Sequence, residues 1–534
     1  MKHMTGTHVP RFDGRRLTRT SLALVALLLA CAPALARQAA RKLPAPEKIV
    51  GEYLKATGGK RRQAAVRDAV YEWAVSSVRG ESSARVLTKA PASARTELRA
   101  QGVELTTTVN PRTAWRGGTH ATAETLTGGA AHTAKLRALL GAGRLVNFKK
   151  MKVLARTVGV EQVGEEQAYV VEFSTREGGR ARFWFGTASK LLLKSSDGEG
   201  GAYVYGDYRA VGGVLEPHRA AHESGGKVFE TYVLARVRHN AGLADALFEP
   251  PGDAALDIPA LLRDLARNQD ELDRRVNDYT FTRRATQREV NDRGEVKKEK
   301  VTVHEVYPVA GWGRVLKLVS EDGAPLTPER AAREEKRVAE ELSKAEREGP
   351  RREQERRRRR ADRLAKQRAR GETDADGEDD ERVGISTFLR ACEFFSPRRE
   401  RFRERDTIVF DFRPRPGFRP KTRGESIVSK LSGVMWVDPA DRQVVRLEAR
   451  LVEGFKIGGG LMASIKSGSA FAFEQTRLAE GVWLPRFSQV NASARIMLFA
   501  GLTINETHEF GDYKRFDTRT DEGTLDEPEQ TKKP

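Results

Sequence analysis

Residues 182–208 read RFWFGTASKLLLKSSDGEGGAYVYGDY. Three short runs, RFWFG (182–186), KLLLKS (190–195) and AYVYGDY (202–208), are rich in aromatic and aliphatic residues and are separated by Gly, Ser and Asp. That spacing predicts antiparallel strands joined by tight turns. Similar runs lie on either side: VYEWAVSSV (70–78), QAYVVEFST (167–175) and KVFETYVLARV (227–237). Helices are few. Ile49, Val50, Tyr53 and Leu54 share one face over 47–57, and Gly58-Gly59 stop that helix. TAKLRALL (133–140) reads as a second, and the β region closes near Phe248-Glu249-Pro250-Pro251.

A second unit opens with a helix around 258–276. Strands are predicted at 278–290, 300–307 and 313–319, with a hairpin turn at Asn291–Gly294. A charged insertion, 329–382, interrupts it. Residues 329–370 carry 17 Lys/Arg against 10 Asp/Glu, and an acidic run from Glu372 to Glu381 follows. Thr327-Pro328-Glu329 opens a helix there, Gly349-Pro350 should break it, and 371–382 reads as disordered. Strands resume at 406–412, 433–438, 443–452, 469–478, 482–490 and 493–505, before a polar tail, 517–534.

Two marks recur in the same order in the two halves. Trp184-Phe185 and Trp436-Val437 each precede an apolar strand. Gly213-Val214-Leu215-Glu216-Pro217 then matches Gly481-Val482-Trp483-Leu484-Pro485. A duplicated unit, with its Pro at a strand edge, accounts for both.

The net charge of +20 admits nucleic acid, anionic lipid or acidic polymers as partners. The basic run Arg356–Arg360 has no interleaved aromatics, which argues against nucleic acid. Two cysteines, Cys31 and Cys392, exclude a disulfide scaffold. Residues 1–36 read as an export signal: a basic start, the apolar run SLALVALLLA (21–30), and Ala34-Leu35-Ala36 before Arg37. The competing site, Leu28-Leu29-Ala30-Cys31, would lipidate Cys31. Residues 37–46 form a linker, and the periplasm is the expected compartment.

The opening IVGEYLKATGGK (49–60), YGDYRAVGGVLEPHRA (205–220) and VRHNAGLADALFEPP (237–251) resemble the periplasmic lipoprotein-carrier superfamily of LolA and LolB. GVMWVDPADRQVVRLEARL (433–451) and EGVWLPRF (480–487) resemble it more weakly. The resemblance implies a mainly β (α+β) chain of two tandem incomplete antiparallel barrels, each wrapped around short helices. The modules would be 47–251 and 258–516, the second holding the insertion. It also implies an apolar cavity for acyl chains of lipids or lipoproteins.

Strand aromatics are the candidates for that cavity: Trp73, Phe173, Trp184, Tyr203 and Tyr205, then Phe410, Trp436, Phe471, Phe473 and Phe499. Around Gly458–Gly460, the residues Phe455, Ile457, Leu461, Met462 and Ile465 could form a loop that touches membrane or cargo, with Lys456 and Lys466 suited to anionic head groups. The insertion could instead dock a protein partner. His218 and His222 with Glu216 and Glu223 form the one dense cluster of metal-ligand types, on a strand unsuited to a metal site. No HExxH, GxSxG or P-loop occurs. No cofactor or catalytic residue is expected. A non-enzymatic lipid- or lipoprotein-binding protein leads, an envelope scaffold or sensor follows, and a hydrolase comes last.

Overall fold

The computed structural model describes residues 43–119, 123–253, 255–275, 278–291, 296–309, 312–369, 385–457, 463–496 and 500–515. The export signal with Cys31, the acidic run 372–381, the tail, and Leu461, Met462 and Phe499 lie outside them.

Two large antiparallel sheets dominate, and neither closes into a barrel. In the first, the opening strand Asp68–Ser77 pairs with the last strand, Lys227–His239, on one side. On its other side hairpins run through Gly80–Lys89, Ser93–Ala100, Val103–Val109 and Ala114–Gly118 to Glu124–Thr125 at one edge. From Lys227–His239 the order continues through Val214–Ser224, Gly201–Val211, Leu192–Ser196, Arg180–Gly186 and Glu166–Ser174 to Leu154–Val163. The second sheet repeats the plan. Tyr279–Val290 pairs with the last strand, Ala500–Arg515, and the order runs one way to Ala324–Pro325 and the other to Cys392–Phe402.

The recurring marks fall on equivalent strands. Pro217 and Pro485 each stand two residues ahead of the point where the last strand of the sheet begins to pair, at Arg219 and Phe487. A proline has no N–H to give, and toward the last strand the ladder has not yet begun at either position.

Helices cover one side of each sheet. Helix α1 (Pro46–Ala56) and helix α2 (Lys60–Ala65) are joined at Gly58 and Gly59, both with positive φ. A Cβ on Gly58 would come within 2.4 Å of the Gly213 carbonyl, so glycine is required where the helix pair meets that turn. Helix α3 (Gly128–Ala142) is longer than the predicted 133–140. Ile49, Val50 and Leu54 of α1 and Leu136 and Leu140 of α3 pack on Val171, Phe173, Phe183 and Phe185. On the second sheet, helix α4 (Ile258–Arg275), helix α6 (Ile385–Ala391) and helix α7 (Arg423–Val428) supply Leu262, Leu265, Phe388 and Val428 over Phe410, Phe412 and Met435. The two short helices were not foreseen. Cys392 lies in this core, and burial pushes its thiol up to about 12, so it is no nucleophile.

Helix α5 (Pro328–Ala369) corrects the predicted break: it runs straight through Pro350. The proline forfeits one backbone bond, but ion pairs one turn apart brace the helix on both sides, Arg337–Glu341 before it and Arg352–Glu348 and Arg357–Glu353 across and after it. Near its start Glu334 accepts from the Leu318 N–H (2.8 Å) and Arg337 donates to the Leu316 carbonyl, so side chains occupy an otherwise open strand edge.

Two buried polar networks fix this framework. Under α2, Glu216 accepts from Arg144 (2.7 Å) and pairs with His239 (2.8 Å), while Arg144 also reaches Gln63 of α2. Burial alone would raise the Glu216 carboxyl, but the His239 hydrogen bond and the Arg144 charge outweigh it and hold it below the usual carboxylate range. The second network joins the sheets. Arg398 donates to Glu400 (2.6 Å), to Asp411 (3.1 Å) and to the Thr125 hydroxyl (2.6 Å), and Glu400 accepts from the Thr125 N–H and hydroxyl (both 2.7 Å). Arg398 is 3% exposed and Asp411 0%. Burial raises the Asp411 carboxyl despite Arg398 and Arg112 beside it.

A carboxyl held low when folded stabilises above its unfolded pKa, near 4.3, and that contribution is lost as pH falls through the folded value. Urea unfolding of Glu216→Gln should therefore show a loss of about 3 kcal/mol at neutral pH and a shallower decline on acidification than the parent. Arg398→Met should cost about 3–5 kcal/mol, because Glu400 stays buried without its cation and Asp411 keeps only Arg112 at 3.7 Å; a loss below about 1 kcal/mol in the same assay would contradict a structural role for this network.

Candidate ligand-binding face

Strand alternation sorts the candidate aromatics by side. Phe173 lies in the closed core under α1 and α3, and Phe410 under α4 and α6. Trp184 and Trp436 face the opposite way. Trp184 packs with Ala168 and Val170 and donates its indole N–H to Glu161 (2.7 Å). Trp436 packs with Val409, Val434, Val445 and Trp483. Phe173, Phe410 and Trp436 are fully buried, and Trp184 is buried at the margin of a hollow on its side of the sheet. Phe455, placed by the sequence on a contact loop, is buried instead. Its strand, Phe455–Ile457, pairs with Ala463–Ile465, so Ile457 and the half-buried Ile465 flank a hairpin tip that lies outside the described residues.

Trp73, Tyr203 and Tyr205 stay half-buried on the helix-bearing side of the first sheet. Trp73 meets Tyr232 edge-on (6.3 Å), Tyr232 meets Tyr203 (6.0 Å), and Tyr203 stacks on His222 (4.8 Å). His222 in turn pairs with Asp197 (2.8 Å). The four residues of the suspected metal cluster are not convergent: Glu216 serves the Arg144 network, His222 serves Asp197, and Glu223 pairs with Lys194. On the other side of this sheet a hollow of about 480 Å³ is lined by Trp184, Lys194, Arg182, Glu172 and Glu223, a charged wall rather than an acyl sleeve.

The second sheet carries phenylalanines that are partly open beyond its helix-covered core, while Leu105, Val228, Phe229 and Val233 are exposed on the first. Leu447 packs at the margin of the helix-covered core. Its neighbour across the strand is Phe473, then Ser488, His508 and Ala285; one step along, Phe471 lies beside Val490 and Glu506. Phe471 is 38% exposed, and Phe473 and Val490 are half-buried. Phe510 meets Phe281 edge-on (5.9 Å) beyond them, and Arg283 lies opposite Phe510 and His304. A strip of Phe471, Phe473 and Val490, separated from Phe510 by Ser488 and His508, thus runs from the core under α4, α6 and α7 toward a polar end. The sequence marked Phe471 and Phe473 but missed Arg283, His304, His508 and Phe510, whose only signal is alternation on strands far apart in the chain.

Among the described residues no helix is long and apolar enough to cross a membrane. No family model matches the chain, and no curated protein matches it. Similar solved structures include a LolA superfamily protein from Nitrosomonas europaea, 15% identical over 39% of this chain and 98% of that one, with a TM-score of 0.28. The lipoprotein LppX of Mycobacterium tuberculosis is 12% identical over 37% of this chain and 98% of that one, at 0.15. The MucA/MucB complex of Pseudomonas aeruginosa is matched at 8% identity over 86% of this chain and 94% of that one, at 0.16. The resemblance to LolA-like proteins read from the sequence is thus met again among solved structures. TM-scores this low fix neither cargo nor partner for this chain.

If the strip is an open surface and not core, its aromatics are cheap to remove. Phe473→Ser should lower the unfolding free energy by about 1 kcal/mol or less, against about 3–5 kcal/mol for Phe410→Ala. Equal losses in denaturant titrations would show Phe473 to be part of the packed core.

Proposed function

We propose that this chain is an exported, non-enzymatic protein that binds lipids or lipoproteins, built from two duplicated modules, 47–251 and 258–516, and that the second module holds the acyl chain. The carrying observation is the half-exposed strip Phe471, Phe473, Val490 and Phe510, on the side of the sheet that bears helices. The equivalent strands of the first sheet carry Tyr203, Tyr205 and Tyr232 in place of these side chains, with Tyr203 stacked on His222 and Tyr205 hydrogen-bonded to Ser195. Each methylene laid on such a strip contributes about 0.8 kcal/mol, so a long chain is held by many weak contacts and released without chemistry. The binding step is passive: apolar surface of protein and cargo leaves water together.

A second reading, capture of a protein partner, is favoured by helix α5. Its first part, 328–350, balances six Lys/Arg against seven Asp/Glu and packs on the sheet through Val338 and Ala345. Its second part, 351–369, carries ten against three. A helix so charged fits an acidic surface better than a protein core.

Mass spectrometry of the full chain, exported by its own signal and purified without detergent, separates these readings. Co-purifying acyl lipid near one per chain, lost on organic extraction and regained on adding lipid, is the expected result. The same spectrum reports a start at Arg37 or a lipidated Cys31. A clean protein mass with no uptake of added lipid would overturn lipid binding and leave α5 as the functional surface.

A further inference from the structure

The polar end of the strip has its own chemistry. Arg283, His304 and His508 lie on three adjacent strands and on one side of the sheet, as the pairing of Arg283 with His304 and of Ala285 with His508 requires. All three side chains are at least partly buried, and among the described residues Arg283 Nε, His304 Nδ1 and His508 Nδ1 are buried atoms without a hydrogen-bond partner. Buried polar atoms left unpaired cost free energy, and three at one place, Arg283 Nε a donor in any state, mark a site whose partner is still to arrive. The surrounding charge selects its sign. Arg314 stands over the Phe281 ring (5.5 Å), and Lys300 and Arg337 add positive potential at His304. Of the carboxylates, Glu334 is engaged by Arg337 and the Leu318 N–H, and Glu506 takes His508 Nε2 (3.2 Å) and Gln287 (3.0 Å). Burial holds both imidazoles below their ordinary range, so the fixed charge at neutral pH is Arg283 and Arg314 against Glu506.

We infer that Arg283, His304 and His508 form an oxyanion site for a phosphate-type head group, so that the cargo of the second module is an anionic amphiphile whose chain lies along Phe510, Phe473 and Phe471. This rests on the acyl-binding reading for the chain, but not for the anion. Arg283 supplies a charged donor and neutral His304 can present Nδ1–H, whereas His508, whose Nε2 already faces Glu506, gains an Nδ1–H only by taking up a proton as the anion binds. Phe281 and Phe510 flank the site and lower the local dielectric, which strengthens a charged hydrogen bond.

The test is calorimetric titration of the full-length protein with myristoyl lysophosphatidic acid and myristoyl lysophosphatidylcholine, both below their micelle concentrations, and with inorganic phosphate. The acidic lipid should bind at least about tenfold more tightly than the choline lipid. Arg283→Gln should erase that preference, Arg283→Lys should keep part of it, and His508→Gln should reduce it without touching the guanidinium. Circular dichroism and melting temperature identify any variant that fails to fold, and His508→Gln then carries the test. Phosphate binding that is lost in Arg283→Gln, with neither lipid bound, would support the anion site and defeat the acyl reading. Equal affinity for the two lipids in the parent protein, or a preference untouched by Arg283→Gln and His508→Gln, would overturn the oxyanion site while leaving acyl binding in place.

Discussion

A sheet of thirteen strands is about 60 Å wide at the usual strand spacing of about 4.8 Å, whereas a helix about 10 Å across covers only about two strands. This mismatch governs the molecule. Each sheet has an apolar side that must leave water, and among the described residues few helices cover it: α1, α2 and α3 on the first sheet, α4, α6 and α7 on the second, with α5 against the strands at one end of the second. The first sheet concentrates its helices over Phe173, Phe183 and Phe185 and closes a core there. The second concentrates them over Phe410, Phe412 and Met435. What lies beyond the helices has to be polar, mixed, or completed by something else. Beyond the first core lie tyrosines, with Tyr232 hydrogen-bonded to Glu230 and Tyr205 to Ser195; beyond the second lie the phenylalanines Phe471 and Phe473.

Much of the fold could be read from residues. Alternating apolar runs marked most strands between 167 and 237, and the Gly-Val-x-x-Pro marks located equivalent strands in the two sheets. The strands Gly80–Lys89 and Ser93–Ala100 were missed because Ser82, Ser83, Arg85, Arg95 and Glu97 make them polar, which is what a sheet with one wet side permits. The break predicted at Pro350 failed because a local rule met a helix braced by ion pairs on both sides.

The site was less legible. RFWFG shows that Phe183 and Phe185 share a side and Trp184 takes the other, but which side receives helices is decided by α1 and α3, far away in sequence. The same holds for Trp436. Arg283, His304 and His508 are separated by up to 225 positions, and in sequence each is one polar residue on a half-polar strand. Their meeting is a product of register, where the first strand of the sheet pairs with the last. Arg398, Glu400 and Asp411 look like surface charges until Thr125, from the other sheet, is set among them.

That last network has a mechanical meaning. Thr125 belongs to the outermost strand of one sheet and Arg398 to the outermost strand of the other, and the cluster between them is dry. Prising the sheets apart there would expose one cation and two carboxylates and break the Thr125 bonds to Arg398 and Glu400 that cross the seam, so water must enter before either edge can move. Two halves built on one plan are in this way tied at adjoining edge strands, so fraying at their far edges should cost less than bending at this seam. Cargo that enters or leaves such a body would slide along a fixed wall, with the strands holding still and the ligand doing the travelling.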